Sequence, residues 1–199
     1  MKGLLLGIAL SSTLLAPAES LDVAVRHAAQ AVRRPALEGP ANFLSYRLGR
    51  PQVAFGVLLA IAVFGGPYGN DTARLALLAL VPVNLVVEVV KRITDRARPD
   101  GEHHRSNASF PSSHAANVFV LMVVFARRWR RYAAAFLAFA VVMAASRIYL
   151  DRHWFSDVVV GAALGGLGAW WMTRAWERRQ RRAPPGAVLA SGAGGTADQ

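Results

Sequence analysis

Apolar residues in this chain gather into blocks separated by short polar or Gly/Pro-rich stretches. After an N-terminal run, Gly3–Leu15, five more follow: Val53–Phe64, Leu75–Val90, Ala115–Ala126, Tyr132–Ala145 and Val158–Trp171. Each is shorter than the roughly 20 residues that cross a bilayer core, and flanking residues bring most of them close to that length. Pro82 and Asn84 inside the second of the five are tolerable in a bundle, where neighbours satisfy the freed backbone. Gly161, Gly165 and Gly168 in the last one offer small-residue faces for close helix contact, or else a flexible Gly-rich segment. Trp154, Trp170, Trp171 and Trp176 stand near the proposed helix ends, as interfacial aromatics do. The pattern predicts an all-α, polytopic membrane helix bundle of about five to six transmembrane helices, its core over residues 51–182.

The flanks read differently. Met1-Lys2, the apolar run and Ala16-Pro17-Ala18 make residues 1–18 either a signal peptide with an A-x-A site or a first transmembrane helix. Leu21 to Val32 carries Leu21, Val25, Ala28 and Val32 on one helical face, with Asp22, Arg26, Gln30 and Arg33 elsewhere. That period predicts an amphipathic helix in the membrane interface, or an ordinary surface helix, within a segment 19–50. Pro35, Gly39-Pro40 and Gly49-Arg50-Pro51 then punctuate a loop or a short second helix. Residues 183–199 are Pro, Gly and Ala without period, the composition of a disordered tail.

Charge adds topology to this picture. The chain has a net charge of +11 over 199 residues, and Lys2 and Lys91 are its only lysines among 23 Lys and Arg. Arginine interleaved with apolar runs points to anionic membrane surfaces and not to nucleic acid. Arg127–Arg131 and Arg174–Arg182 should be cytoplasmic by the positive-inside rule. The polar segments Lys91–His114 and Ser146–Asp157 lie at the opposite ends of the same runs, on the outer side, which also carries Arg26, Arg33, Arg34, Arg47 and Arg50. The abundance of Ala, Arg and Gly suits a GC-rich bacterial genome, so the expected location is a bacterial inner membrane, multi-pass, with those segments facing the periplasm. Without cysteine, thiol and zinc-thiolate chemistry is excluded.

Three polar blocks carry the candidate chemistry. Lys91 is followed by six residues and Arg98-Pro99, then come Pro111-Ser112-Ser113-His114 and Ser146-Arg147, five residues, His153, three residues, Asp157. A phosphate ester repels nucleophiles with its own charge, so a site without metal must neutralise it with fixed cations and aimed donors. Arg98 and Arg147 each offer a planar fork and Lys91 a compact charge. Lys91 and Arg98, seven apart, can share one side of a helix before Pro99. Ser112 and Ser113 open an apolar run after Pro111, either as a plain Ser N-cap or as a helix N-terminus that takes an anion. His153 and Asp157, four apart, are neighbours on a helix face, where a carboxylate fixes one imidazole tautomer and frees the other nitrogen to attack. Taken singly, each cation reads as an interfacial anchor and each histidine as structural; the joint spacing lifts them above that. His103 and His104 are expected to be solvated. Glu88 is expected to pair with a nearby Arg, the alternative being contact with a substrate headgroup. Asp95, Asp100, Glu102 and Asp151 look like charge partners for arginines. No metal-binding spacing is present.

These blocks resemble the tripartite motif of the type 2 phosphatidic acid phosphatase family, K-x6-R-P, P-S-G-H and S-R-x5-H-x3-D, over about a third of the chain. Ser113 alone departs, standing where the family usually has Gly. The resemblance implies an acid phosphatase/vanadium-dependent haloperoxidase-like core and a metal-independent lipid phosphatase with no cofactor. Its substrate would be a phospholipid or polyprenyl phosphate: phosphatidate, phosphatidylglycerophosphate or undecaprenyl diphosphate. It also implies His153 as the nucleophile that forms a phosphohistidine, Asp157 orienting it and His114 as general acid. Lys91, Arg98, Ser112, the Ser113 N–H and Arg147 would bind the phosphate. The alternatives are a soluble-type vanadate-dependent haloperoxidase or acid phosphatase, and a catalytically dead lipid-binding membrane protein.

Overall fold

A computed structural model of the chain describes residues 19–102 and 108–182. The leader or first span expected over residues 1–18, the tail 183–199, and His103 and His104 lie outside the described residues. Helix α1 covers residues 19–31. Pro35–Asn42 forms α2, which runs on into a π-helical stretch, Phe43–Leu48; α3 is Pro51–Phe64 and α4 Gly66–Thr94. Then come α5, Ser113–Arg128, a 3₁₀ turn at Arg130–Tyr132, α6, Ala133–Tyr149, and α7, Phe155–Arg182. Pro35 and Pro51 each open a helix, where the missing N–H costs nothing. Gly39-Pro40 therefore lies inside α2, and only Gly49-Arg50-Pro51 breaks the chain between helices; the segment is a short helix and not a long loop.

Helix α5 is the axis of the bundle. Ala115, Ala116, Val120 and Val124 are fully enclosed, with Val118 and Phe125 nearly so, because α4, α6 and α7 all pack against it. Its 16 residues span about 24 Å at 1.5 Å per residue, short of a bilayer's hydrocarbon core. Close contact with α7 depends on the glycines: a Cβ at Gly161 would strike the Ser112 carbonyl, and one at Gly165 the Ala116 carbonyl. Their role is therefore the close-contact one, not flexibility. Asn84, next to the in-helix Pro82, donates to the Leu80 carbonyl at 2.9 Å and to Asn117 Oδ1 on α5 at 2.8 Å.

The outside of the bundle is apolar. Phe64 is 87% exposed, Ile93 76% and Leu167 67%, with Leu85, Val141 and Trp171 also outward. A surface of that kind belongs in lipid, not in water. The architecture is thus the all-α membrane bundle that the pattern predicts. By length and composition, three described helices can cross a membrane: Gly66–Thr94, Arg130–Tyr149 and Phe155–Arg182. A fourth follows if Pro35–Leu48 and Pro51–Phe64, bent by 64°, form one span. The Ala115–Ala126 run, expected to make a further span, is the short central helix.

Two ends of the bundle differ sharply. At one, Tyr68 donates to the Arg128 carbonyl, Arg128 Nε to Thr72 Oγ1 at 2.9 Å, and Arg127 pairs with Glu177 at 3.0 Å. Edge-on rings of Tyr68, Phe125, Trp129, Phe136 and Tyr132 close that end. The other end gathers the three motif blocks. Helix α1 lies there with part of its polar face inward: Asp22 is buried, whereas Leu21 and Val32 are exposed. The helix forms as its period predicts, but ion pairs and not apolar residues seat it.

Candidate active site

Helix α4 delivers Lys91 one turn before its end. The side chain is buried, and Nζ donates to the Ala108 carbonyl. Helix α4 then stops: Asp95 turns left-handed at φ 43° and its N–H bonds to the Lys91 carbonyl. Arg98 therefore projects from a loop, not from the same helix side as Lys91. Its backbone N–H is held by the Glu102 carbonyl at 3.1 Å, and Nη1 donates to the Arg152 carbonyl at 2.9 Å. This local stop brings the two cations together from different directions.

Ser112 is the N-cap of α5, its hydroxyl accepting from Ala115 N–H at 3.4 Å, and Ser113 is the first helical residue. The Ser112 N–H is in turn anchored to the Asp157 carbonyl at 3.0 Å. His114 follows, within electrostatic reach of Arg147, His153, Arg98 and Lys91. Gly49 backs its ring: a Cβ there would sit 2.9 Å from His114 Cδ2.

Arg147 comes from the last turn of α6 and is 3% exposed. Its Nη1 donates to Ser45 Oγ and its guanidinium lies 5.4 Å from the Tyr46 ring centre, both on the π-helical stretch. The Arg147 carbonyl accepts from the N–H groups of Arg152 and His153 at 3.0 and 3.3 Å. That tight turn, with Asp151 at φ 58°, fixes His153 relative to Arg147.

His153 precedes α7 and so does not share a helix face with Asp157, although the two are close. Its Nδ1 lies 2.9 Å from the Ser109 carbonyl and 3.5 Å from Asp157 Oδ2. A carbonyl only accepts, so Nδ1 carries the hydrogen and Nε2 of the neutral ring is free. The sequence reading has a carboxylate accept one imidazole N–H; the nearer acceptor is the Ser109 backbone carbonyl. Burial, reinforced by Arg147 and Arg98 against the opposing bond to Asp157, lowers the His153 pKa to about 4. At neutral pH the imidazole is uncharged.

Asp157 is fully enclosed. Arg96 Nη1 donates to its Oδ1 at 2.7 Å, while Oδ2 accepts the Ser109 hydroxyl and the Trp154 N–H at 2.9 Å. The structure thus brings together every residue that the three blocks nominated. Arg96, Ser109, Ser45, Tyr46 and Arg152 were not foreseen. Arg152 bridges Asp100 at 2.8 Å and Glu102 at 2.6 Å, Arg26 pairs with Asp151, and Glu88 pairs with Arg92. Those acids are charge partners, as expected. Among the described residues, no three His, Asp or Glu side chains gather as a metal-binding set. Three buried cations around an imidazole nitrogen and a helix N-terminus make an arrangement suited to a dianion.

A family model described as the PAP2 superfamily matches residues 72–181. The chain is 35% identical over 94 residues to a lipid A 1-phosphatase of Rhizobium etli, covering 41% of this chain and 40% of that one. It is 31% identical over 156 residues to a decaprenylphosphoryl-5-phosphoribose phosphatase of Mycobacterium tuberculosis, covering 72% and 84%. The match spans about two fifths of the length of the lipid A 1-phosphatases. The crystal structure of a transmembrane PAP2-type phosphatidylglycerolphosphate phosphatase from Bacillus subtilis superposes with a TM-score of 0.74 at 24% identity. That superposition covers 91% of this chain and 98% of that one, and establishes a shared fold.

Proposed function

This chain belongs to the PAP2 superfamily, and from that membership and the site's geometry we propose that it is a membrane phosphatase that hydrolyses a lipid's phosphate headgroup without metal. The observation that carries the reading is the His153 ring. It is buried among cations, its Nδ1–H is bound to the Ser109 carbonyl, and its Nε2 is left with a lone pair.

In this reading the phosphate sits among Lys91, Arg98 and Arg147, with the Ser112 hydroxyl and the Ser113 N–H as further donors. His153 Nε2 attacks phosphorus, and the bond to the lipid oxygen breaks as His114 protonates that oxygen. Burial, with Arg147, Arg98 and Lys91, holds the His114 pKa down to about 3 without substrate, and the negative charge of the bound phosphate is what must offset those cations and put a proton there. Water then attacks the phosphohistidine, His114 takes its proton, and inorganic phosphate leaves. Asp157 steadies the ring that becomes positive. The substrate class is a phospholipid or polyprenyl phosphate, supported by the names of the lipid A and decaprenyl relatives. The enzyme lies in a bacterial inner membrane with its site toward the periplasm.

Purified protein should release phosphate from at least one member of a panel of phosphatidate, phosphatidylglycerophosphate and undecaprenyl diphosphate. Release should persist in EDTA and be blocked by vanadate, whose five-coordinate adducts mimic the transition state. Activity lost in EDTA and restored by Mg²⁺ would overturn the metal-free mechanism.

A further inference from the structure

A second carboxylate stands behind the site, on a helix that the three motif blocks do not include. Asp22 of α1 is 1% exposed. It accepts from Arg96 Nη2 at 2.7 Å, from Ser156 N–H at 2.7 Å and from the Ser156 hydroxyl at 2.6 Å. The other end of the same guanidinium, Nη1, donates to Asp157 Oδ1 and to Ser156 Oγ, both at 2.7 Å. One arginine therefore joins two buried carboxylates. Helix α1 is pinned beside it by Arg26, whose Nε and Nη2 reach Asp151 at 2.7 and 2.6 Å. The Trp154 ring is flanked by Arg26 at 5.7 Å and Arg96 at 5.4 Å.

A carboxylate as enclosed as Asp157 needs a cation, because an uncompensated buried charge is costly. Two neighbours lie within ion-pair distance, the Arg96 guanidinium at 2.7 Å and, if protonated, His153 at 3.5 Å, while Lys91 and Arg98 act on it from farther off. The permanent and closer cation takes the role, which leaves His153 neutral. Arg96 itself is about a quarter exposed, so nothing but its partners keeps its fork on Asp157. Asp22 and Ser156 supply that restraint. If Asp22 is lost, Arg96 can swing to solvent and the full field of Asp157 falls on His153.

We infer that Asp22 and Arg96 are positioning residues for the phosphatase reaction: Asp22 holds Arg96, Arg96 holds and neutralises Asp157, and α1 is thereby part of the active site. The inference rests on His153 being the nucleophile. Neither residue touches the phosphate, so their loss should act on the chemical step and not on binding.

The test uses the full chain in lipid nanodiscs, as wild type, Arg96→Gln, Arg96→Lys, Asp22→Asn and the Asp22→Asn/Arg96→Gln double variant. Two readouts are taken: kcat and KM on the best lipid of the panel, and the titration of each histidine by ¹³C NMR. The His153 signal among the five histidines is assigned by its loss in His153→Ala. The expected result for Arg96→Gln is a kcat fall of about tenfold or more with KM within about threefold. Asp22→Asn should fall less, Arg96→Lys should recover part, and the double variant should be no worse than Arg96→Gln, because both act through one contact. The His153 titration should move upward from near pH 4 in Arg96→Gln and Asp22→Asn. The other charged groups facing it, Asp157, Arg147, Arg98 and His114, are unchanged in these variants. An unmoved titration, a raised KM at wild-type kcat, or additive losses in the double variant would each overturn the inference. Should no lipid be hydrolysed while the titration still moves, the structural coupling stands and the catalytic reading falls. Should His153→Ala abolish turnover while the titration is unmoved in Arg96→Gln, the reverse holds. If Arg96→Gln fails to fold, the isosteric Asp22→Asn carries both readouts.

Discussion

His153 and His114 face the same phosphate in the proposed mechanism, yet chemistry asks different things of them, and a substrate with a good leaving group separates the two. Nucleophilic attack by His153 is needed whatever leaves, so His153→Ala should abolish turnover of every substrate. Nitrophenolate leaves without a donated proton. His114→Ala should therefore release it from p-nitrophenyl phosphate in a first-turnover burst, then stall as phosphoenzyme for want of a base to activate water. Acid quench followed by mass spectrometry should find the phosphoryl group on His153; a label on His114, or a burst surviving in His153→Ala, would reverse the assignment. At this scale much was legible in the sequence, because the three blocks keep fixed internal spacings. Ser109 and Arg96 were not legible as partners. Their bonds to His153 and Asp157 cross 44 and 61 residues, and contacts that long leave no periodicity to detect. Arg96 stood in view between Lys91 and Arg98, but nothing local distinguishes an arginine aimed at a carboxylate from one aimed at lipid.

Helix contact decides how accurately those side chains meet. Asp157 rides on the first turn of α7, with His153 just ahead of that helix, and Ser112 caps the start of α5. Gly161 and Gly165 set the separation of the two helices, since both face carbonyls of α5 directly. Gly165→Ala should force the helices apart, an overpacking worth about 1–3 kcal/mol. A lowered melting temperature in detergent should accompany weaker activity without any motif residue being touched. A variant as stable and active as wild type would show that α7 can slide freely. The glycine stripe and the apolar blocks could be read from sequence because both are local. The rank of α5 could not, since its run looks like the others, and only packing on three sides makes it the axis. The partners of α1 were not legible for a related reason: periodicity gives an apolar side but not what the polar side meets. In lipid the apolar side is free to face outward, and Asp22 and Arg26 turn in to their partners.

Across the whole molecule, the two ends differ in charge, and the difference predicts an orientation. The candidate site gathers three buried cations, Lys91, Arg98 and Arg147, around His153. At the far end, Arg127, Arg128, Arg130, Arg131 and the arginines from Arg174 to Arg182 cluster where α5, α6 and α7 meet. Arginine beside a membrane span is retained on the cytoplasmic side, so the cluster should lie inside and the site outside. The site end also holds arginines, among them Arg26, Arg96 and Arg152, each paired with a carboxylate. The chain has no cysteine, which makes the test clean: single cysteines at Arg130 and Glu102, probed in intact cells with an impermeant maleimide. Position 102 should label at once and position 130 only after the membrane is opened. Labelling of 130 but not 102 in intact cells would place the site on the cytoplasmic face and require its lipid substrate to be presented from the inner leaflet.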